Sequence, residues 1–100
     1  MVKHIVLWKL KEELSTEEKA KVKREIKEGL EGLKEKIKEL VEIKVNIDGL
    51  EGSTVDVMLD TVFENEDALK TYASHPDHVA VGMAKIKPFM AERICYDYEF

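Results

Sequence analysis

Apolar residues alternate with others from Val2 to Leu10: Val2, His4, Val6, Trp8 and Leu10 fall on one face, and Lys3, Ile5, Leu7 and Lys9 on the other. That is the period of a strand. Both faces are apolar in the middle, so both need cover, whereas a two-layer domain covers one face of its sheet. The period then changes. Ser15, followed three residues later by Glu18, has the spacing of a capping box, and Val22, Ile26, Leu30, Leu33, Ile37 and Leu40 recur every three or four residues as one stripe. Together they predict a helix from Ser15 to about Leu40. Glu17 and Glu18 suit its positive end, and Lys34, Lys36 and Lys38 its negative end. Gly29 and Gly32 each cost such a helix about 1 kcal/mol relative to Ala. They read either as points of close approach or as tolerated glycines.

Val41, Ile43, Val45 and Ile47 alternate with polar residues, and Val55, Val57, Leu59, Thr61 and Phe63 repeat the pattern. Asp48-Gly49 and Gly52-Ser53 between them tolerate positive φ, so the two strands are expected to form a hairpin with a loop of about six residues. Glu64-Asn65-Glu66 opens a helix to about Ala73, and His75-Pro76 breaks it, because the residue before proline is pushed out of the helical region while proline suits a first turn. A further helix from about Asp77 carries Val79, Met83 and Ile86 and ends near Pro88. From about Arg93 to Phe100 a last strand places Ile94, Tyr96 and Tyr98 on one face and Cys95, Asp97 and Glu99 on the other.

The order β-α-β-β-α-β, with right-handed crossovers, predicts one ferredoxin-like α+β domain over residues 1–100: a four-stranded antiparallel sheet with its helices on one face. The uncovered face then holds Ile5 and Leu7, with Met58 and Val62 beside them. An apolar face of that kind predicts a homodimer in which two sheets close into a barrel. Size agrees, since a chain of 100 residues buries only on the order of 60–70% of the surface its unfolded form exposes.

The formal charge of −5 argues against nucleic acid or an anionic membrane as partner. Cys95 is the one cysteine, so no intrachain disulfide is available, a reducing cytoplasm is the expected setting, and a buried structural thiol is the default reading. Ile5 to Trp8 is too short for a signal-peptide core or a membrane span. Asp48 to Gly52 opens no helix and so lacks the context of a phosphate loop. His75 and His78 are separated by Pro76 and accompanied by no HExxH or cysteine cluster, so neither metal nor cofactor is expected.

The chemistry-bearing residues concentrate in Tyr72-Ala73-Ser74-His75-Pro76-Asp77-His78. A neutral His78 at a helix start suits a general base, and Tyr72 suits hydrogen-bond donation to a developing enolate. The same two residues also read as groups that merely satisfy a helix break. His75 reads as a cap or brace, and His4, on the helix-facing side of its strand with Val6 and Trp8, reads either as a pocket residue or as a satisfied core histidine.

With the βαββαβ order, the Tyr-x-x-His-Pro-x-His run, the opening Val2 to Leu7 and the closing Ile94 to Tyr98, the chain resembles the stress-responsive dimeric α+β barrel (Dabb) family. That family includes plant stress-induced proteins and olivetolic acid cyclase, a cofactor-free polyketide cyclase. The resemblance implies His78 and Tyr72 as an acid/base pair, with His4, His75, Val6, Trp8 and Leu59 lining or supporting the pocket, and Ile5, Leu7, Met58 and Val62 at the dimer interface. The first helix departs from the cyclase, offering Val22 and Ile26 in place of aromatics. The expected function is a homodimer that binds a small apolar, carbonyl-bearing molecule and performs cofactor-independent aldol or enolisation chemistry. The rivals are a non-catalytic ligand-binding dimer and a cofactorless monooxygenase.

Overall fold

The computed structural model describes residues 1–100. Strand β1 (Val2–Leu10) leads to helix α1 (Thr16–Glu31), whose cap is the Ser15/Glu18 box with both reciprocal hydrogen bonds made. Strands β2 (Glu42–Asn46) and β3 (Val57–Phe63) follow, then helices α2 (Glu66–Ser74) and α3 (Pro76–Val81), and finally strand β4 (Met90–Glu99). The sheet is antiparallel with order β2-β3-β1-β4. This is the ferredoxin-like arrangement predicted from the pattern, and no helix is long and apolar enough to cross a membrane.

Three local expectations fail, and the choice left open at Gly29 is decided. Helix α1 stops at Glu31 rather than near Leu40, and the chain tightens into a 3₁₀ turn over Gly32–Glu35. Leu33, Ile37 and Leu40 are nonetheless buried, because tight turns also return an apolar residue to the core every three or four positions. The loop between β2 and β3 occupies residues 47–56 rather than about six, and no glycine in it adopts positive φ. Asp56, at its end, accepts a hydrogen bond from the Leu10 backbone N–H at 2.8 Å and so ties the loop to β1. Gly29 is a close approach: a Cβ there would lie 3.1 Å from Val81 Cγ1, whereas Gly32 meets nothing. Finally, α3 continues as a π-helical turn over Gly82–Ile86 before the chain reaches β4.

The core lies between the sheet's inner face and the helices. Val2, Val6, Trp8 and Leu10 of β1 pack against Val22, Ile26 and Leu30 of α1, with Val45, Val57, Leu59 and Phe63 beside them. Helix α1 packs on α3 through the Gly29–Val81 contact, and on the π-helical turn through Lys85 donating to Glu25 at 3.4 Å. The free edge of β2 is closed by side chains. Glu31 accepts the Val45 N–H at 2.9 Å, while Lys27 donates to the Val45 carbonyl at 2.6 Å, which removes a template for unwanted strand pairing.

On the outer face, cross-strand register puts Ile5 between Asp60 and Tyr96, and Leu7 between Met58 and Ile94. Ile5, Leu7 and Met58 are half-buried, and Ile94, Tyr96 and Tyr98 are exposed. Val62 lies on this face too, but flanking Lys3 and Glu42 and its own strand leave it only 6% exposed. It therefore has little surface left to offer a partner.

Candidate active site

The site is assembled around the break between α2 and α3. Asn65 caps α2 by accepting the Ala68 N–H at 2.8 Å, and the helix turns Tyr72 inward until its side chain is fully buried. His75, held extended at ψ 132° before Pro76, ends α2 and starts α3. Its Nδ1 accepts the Asp77 N–H at 3.1 Å. One turn on, His78 folds back so that its Nδ1 donates to the Ala73 carbonyl at 3.0 Å. That carbonyl belongs to the last turn of α2, where an intrahelical donor is missing. The bond fixes the tautomer of His78 and leaves Nε2 with a free lone pair.

His78 stacks obliquely on Tyr72, with ring centroids 4.3 Å apart, and Tyr72 in turn contacts Phe63 at 5.1 Å and His4 at 6.5 Å. Burial lowers the His78 pKa below its ordinary value of 6.5, with His4, Arg93 and His75 adding to the effect against the opposing Ala73 bond. The direction matches the sequence expectation, but burial rather than the helix end is its main cause. Burial likewise pushes the Tyr72 phenol well above its ordinary value, so it stays protonated and can act as a donor. Its hydroxyl is buried with no hydrogen-bond partner, a condition that costs about 1–3 kcal/mol in a protein interior.

Tyr72 is one of the residues lining a cavity of about 340 Å³, with His4, Val6, Trp8, Leu59 and His78 and a wall that runs from Val79 through Met83 and Ile86 to Met90. Lys87 and Arg93, the charged members of the lining, are exposed and stand in none of the chain's ion pairs. The fold thus gathers His4, Val6, Trp8, Leu59, Tyr72 and His78 around one space. His75 is not among the lining residues, because its ring is spent on capping α3. Helix α1 contributes no lining residue, so its lack of aromatics does not shape this cavity. The π-helical turn supplies Gly82, Met83 and Ile86, a use typical of such irregular turns. Periodicity alone marked Met83 and Ile86 as apolar but could not aim them.

A second cluster was invisible in the sequence. His4 and Asp97 are directly paired across β1 and β4, and Asp97 Oδ1 accepts from His4 Nδ1 at 2.5 Å. Cys95 Sγ lies 3.7 Å from the same ring nitrogen and 3.5 Å from Asp97. Contrary to expectation, the thiol is exposed rather than buried, because the helices reach across β1 but leave the inner face of edge strand β4 open. Burial and the neighbouring Asp97 carboxylate raise its pKa, so it is a protonated thiol and not a poised nucleophile.

The family model of the stress responsive A/B barrel domain matches residues 2–100. The chain belongs to that family. A dimeric protein of unknown function with a ferredoxin-like fold from Bacteroides fragilis is 41% identical, with a TM-score of 0.94 over 99% of this chain and 95% of its own. A dimeric ferredoxin-like protein of unknown function from Thermobifida fusca is 25% identical, with a TM-score of 0.81 over 99% and 90%. A hydroxynitrile lyase from Passiflora edulis shares the fold at 18% identity, with a TM-score of 0.77 over 97% and 90%. No curated protein matches the sequence.

Proposed function

We propose that this A/B barrel domain protein is a homodimer whose cavity binds a small, mainly apolar, carbonyl-bearing molecule and moves a proton next to that carbonyl without a cofactor. The orphaned Tyr72 hydroxyl carries the reading. It is a protonated, buried donor without a partner, on a residue that lines a mainly apolar cavity, and in this reading a small shift of the ring lets a ligand's carbonyl oxygen serve as the acceptor it lacks. As charge develops on that oxygen during enolisation, the bond strengthens, which is stabilisation specific to the transition state. His78 is the base: neutral, with Nδ1 committed to Ala73, it presents Nε2 to take the α-proton. His4, whose Nδ1 is held by Asp97, likewise keeps Nε2 unengaged and assists at the same wall.

The dimer in this reading is supported by the exposed Ile94, Tyr96 and Tyr98 beside Ile5, Leu7 and Met58 on the outer face, and by the dimeric state of the two similar proteins. The unpaired Cys95 thiol suits a reducing cytoplasm.

The test needs no knowledge of the natural substrate. Acetophenone incubated with the protein in D₂O should exchange its methyl protons faster than in buffer, followed by proton NMR, and His78→Gln should abolish the gain. No acceleration by the wild-type chain would refute proton transfer. A second reading, a binder without catalysis, is favoured by the same His78–Ala73 bond, which gives the imidazole a structural task of its own. Saturable binding without exchange would select it.

A further inference from the structure

The His4, Cys95 and Asp97 cluster shares His4 with the cavity wall, but Cys95 and Asp97 take no proton in the proposed step, and the donor geometry of the three has a meaning of its own. A tetrahedral zinc-type ion with bonds of about 2.3 Å to sulfur and about 2.0–2.1 Å to nitrogen or oxygen separates its ligand atoms by roughly 3.3–3.6 Å. Here Sγ stands 3.7 Å from His4 Nδ1 and 3.5 Å from Asp97 Oδ1, so two of the three edges of a coordination face are already in place. The third, Nδ1 to Oδ1, is 2.5 Å, because the two atoms are hydrogen-bonded directly and must part by about 1 Å to admit an ion between them.

We propose that His4 Nδ1, Cys95 Sγ and Asp97 Oδ1 form a binding site for a divalent transition metal of the zinc class, with the remaining position open to solvent. The three donors come from two directly paired strands, so the sheet fixes their backbones before any metal arrives. They also mix imidazole, thiolate and carboxylate, a set that favours zinc or cobalt over magnesium or calcium. Glu66 and Glu99 share a surface depression with Asp97 and add negative charge. Arg93, which acts on the thiol, is the opposing cation, and it is exposed and free of ion pairs.

Binding displaces the thiol proton to solvent and breaks the Asp97–His4 hydrogen bond. With the metal on Nδ1, the ring proton moves to Nε2, the nitrogen that Asp97 otherwise leaves unengaged. Metal loading thereby converts the Nε2 of His4 from an acceptor into a donor.

The experiment is a titration of the reduced full chain with Co²⁺, read by absorbance. One equivalent should produce a sulfur-to-cobalt charge-transfer band in the near ultraviolet and visible bands of four-coordinate intensity. Cys95→Ser should remove the charge-transfer band. Asp97→Ala should weaken binding by at least about tenfold, since even outer partners of a metal site are worth 10–100-fold. His75→Ala should leave both bands intact. Cys95 is exposed, so its serine variant retains the packed core, and circular dichroism checks this. In the wild-type chain, Zn²⁺ should also shift the His4 Nδ1 resonance in ¹⁵N NMR. Absence of saturable binding, a spectrum unchanged in Cys95→Ser, or a His4 resonance unmoved by Zn²⁺ would each overturn the site. None of these readouts depends on what the cavity binds or does.

Discussion

Replacing Tyr72 by Phe removes one oxygen and leaves the packing alone. The ring is fully buried, 5.1 Å from Phe63 and 4.3 Å from His78 between centroids, and Phe retains those contacts. What disappears is a buried hydroxyl without a partner, whose desolvation costs about 1–3 kcal/mol. Tyr72→Phe should therefore be more stable than the wild type. In a domain of this size each kcal/mol moves the thermal midpoint by roughly 4–8 °C, so calorimetry should record a rise of at least about 4 °C. Function should move the other way. A neutral hydrogen bond to a ligand carbonyl is worth about 0.5–1.5 kcal/mol, so affinity for a ketone should drop by about two- to tenfold, and exchange catalysis should fall further. The opposition is the informative part, because a purely structural tyrosine would not trade stability for binding. A midpoint that falls in Tyr72→Phe, with ketone affinity unchanged, would show that the hydroxyl is satisfied within the protein and would remove the basis of the proposed site.

Stability should also depend on pH through His78. Its folded pKa lies below the unfolded value of 6.5, so the unfolded chain binds the proton first and stability is lost as pH falls below about 6.5 towards the folded value. Urea midpoints at pH 7.5 and 5.5 should differ by less in His78→Gln than in the wild type, and an equal difference in both would contradict the burial of this imidazole. At the outer face, Leu7→Lys or Tyr96→Glu should convert the proposed dimer into a monomer of 11.5 kDa by light scattering after gel filtration, because each sets a charge in the apolar patch. A wild-type chain that elutes as a monomer at micromolar concentration would refute the barrel.

Residues 2–10 show what a sequence can convey: alternation with period 2 assigned every side chain of β1 to its correct face, since a strand has no other way to place them. The α1 stripe conveyed less. It marked Leu33, Ile37 and Leu40 as core, which they are, but a 3₁₀ turn and a helix bury residues at similar spacing, so the helix end was lost. The cavity wall followed the same division. His4, Val6 and Trp8 could be aimed because they sit on a strand, while Met83 depends on a π-helical turn that leaves no period of its own. The Asp97–His4 bond spans 93 positions and exists only because β1 lies beside β4. Cys95 was misjudged for the related reason that alternation assigns a face without saying whether a helix covers it.

The central claim is that Tyr72 holds a ligand carbonyl. Acetophenone labelled with ¹³C at its carbonyl reports that bond directly, because hydrogen-bond donation moves the carbonyl resonance downfield. Titration with the wild-type chain should give a saturable downfield shift, and Tyr72→Phe should bind with the shift removed. No saturable shift in the wild type, or the same shift in Tyr72→Phe, would contradict the account.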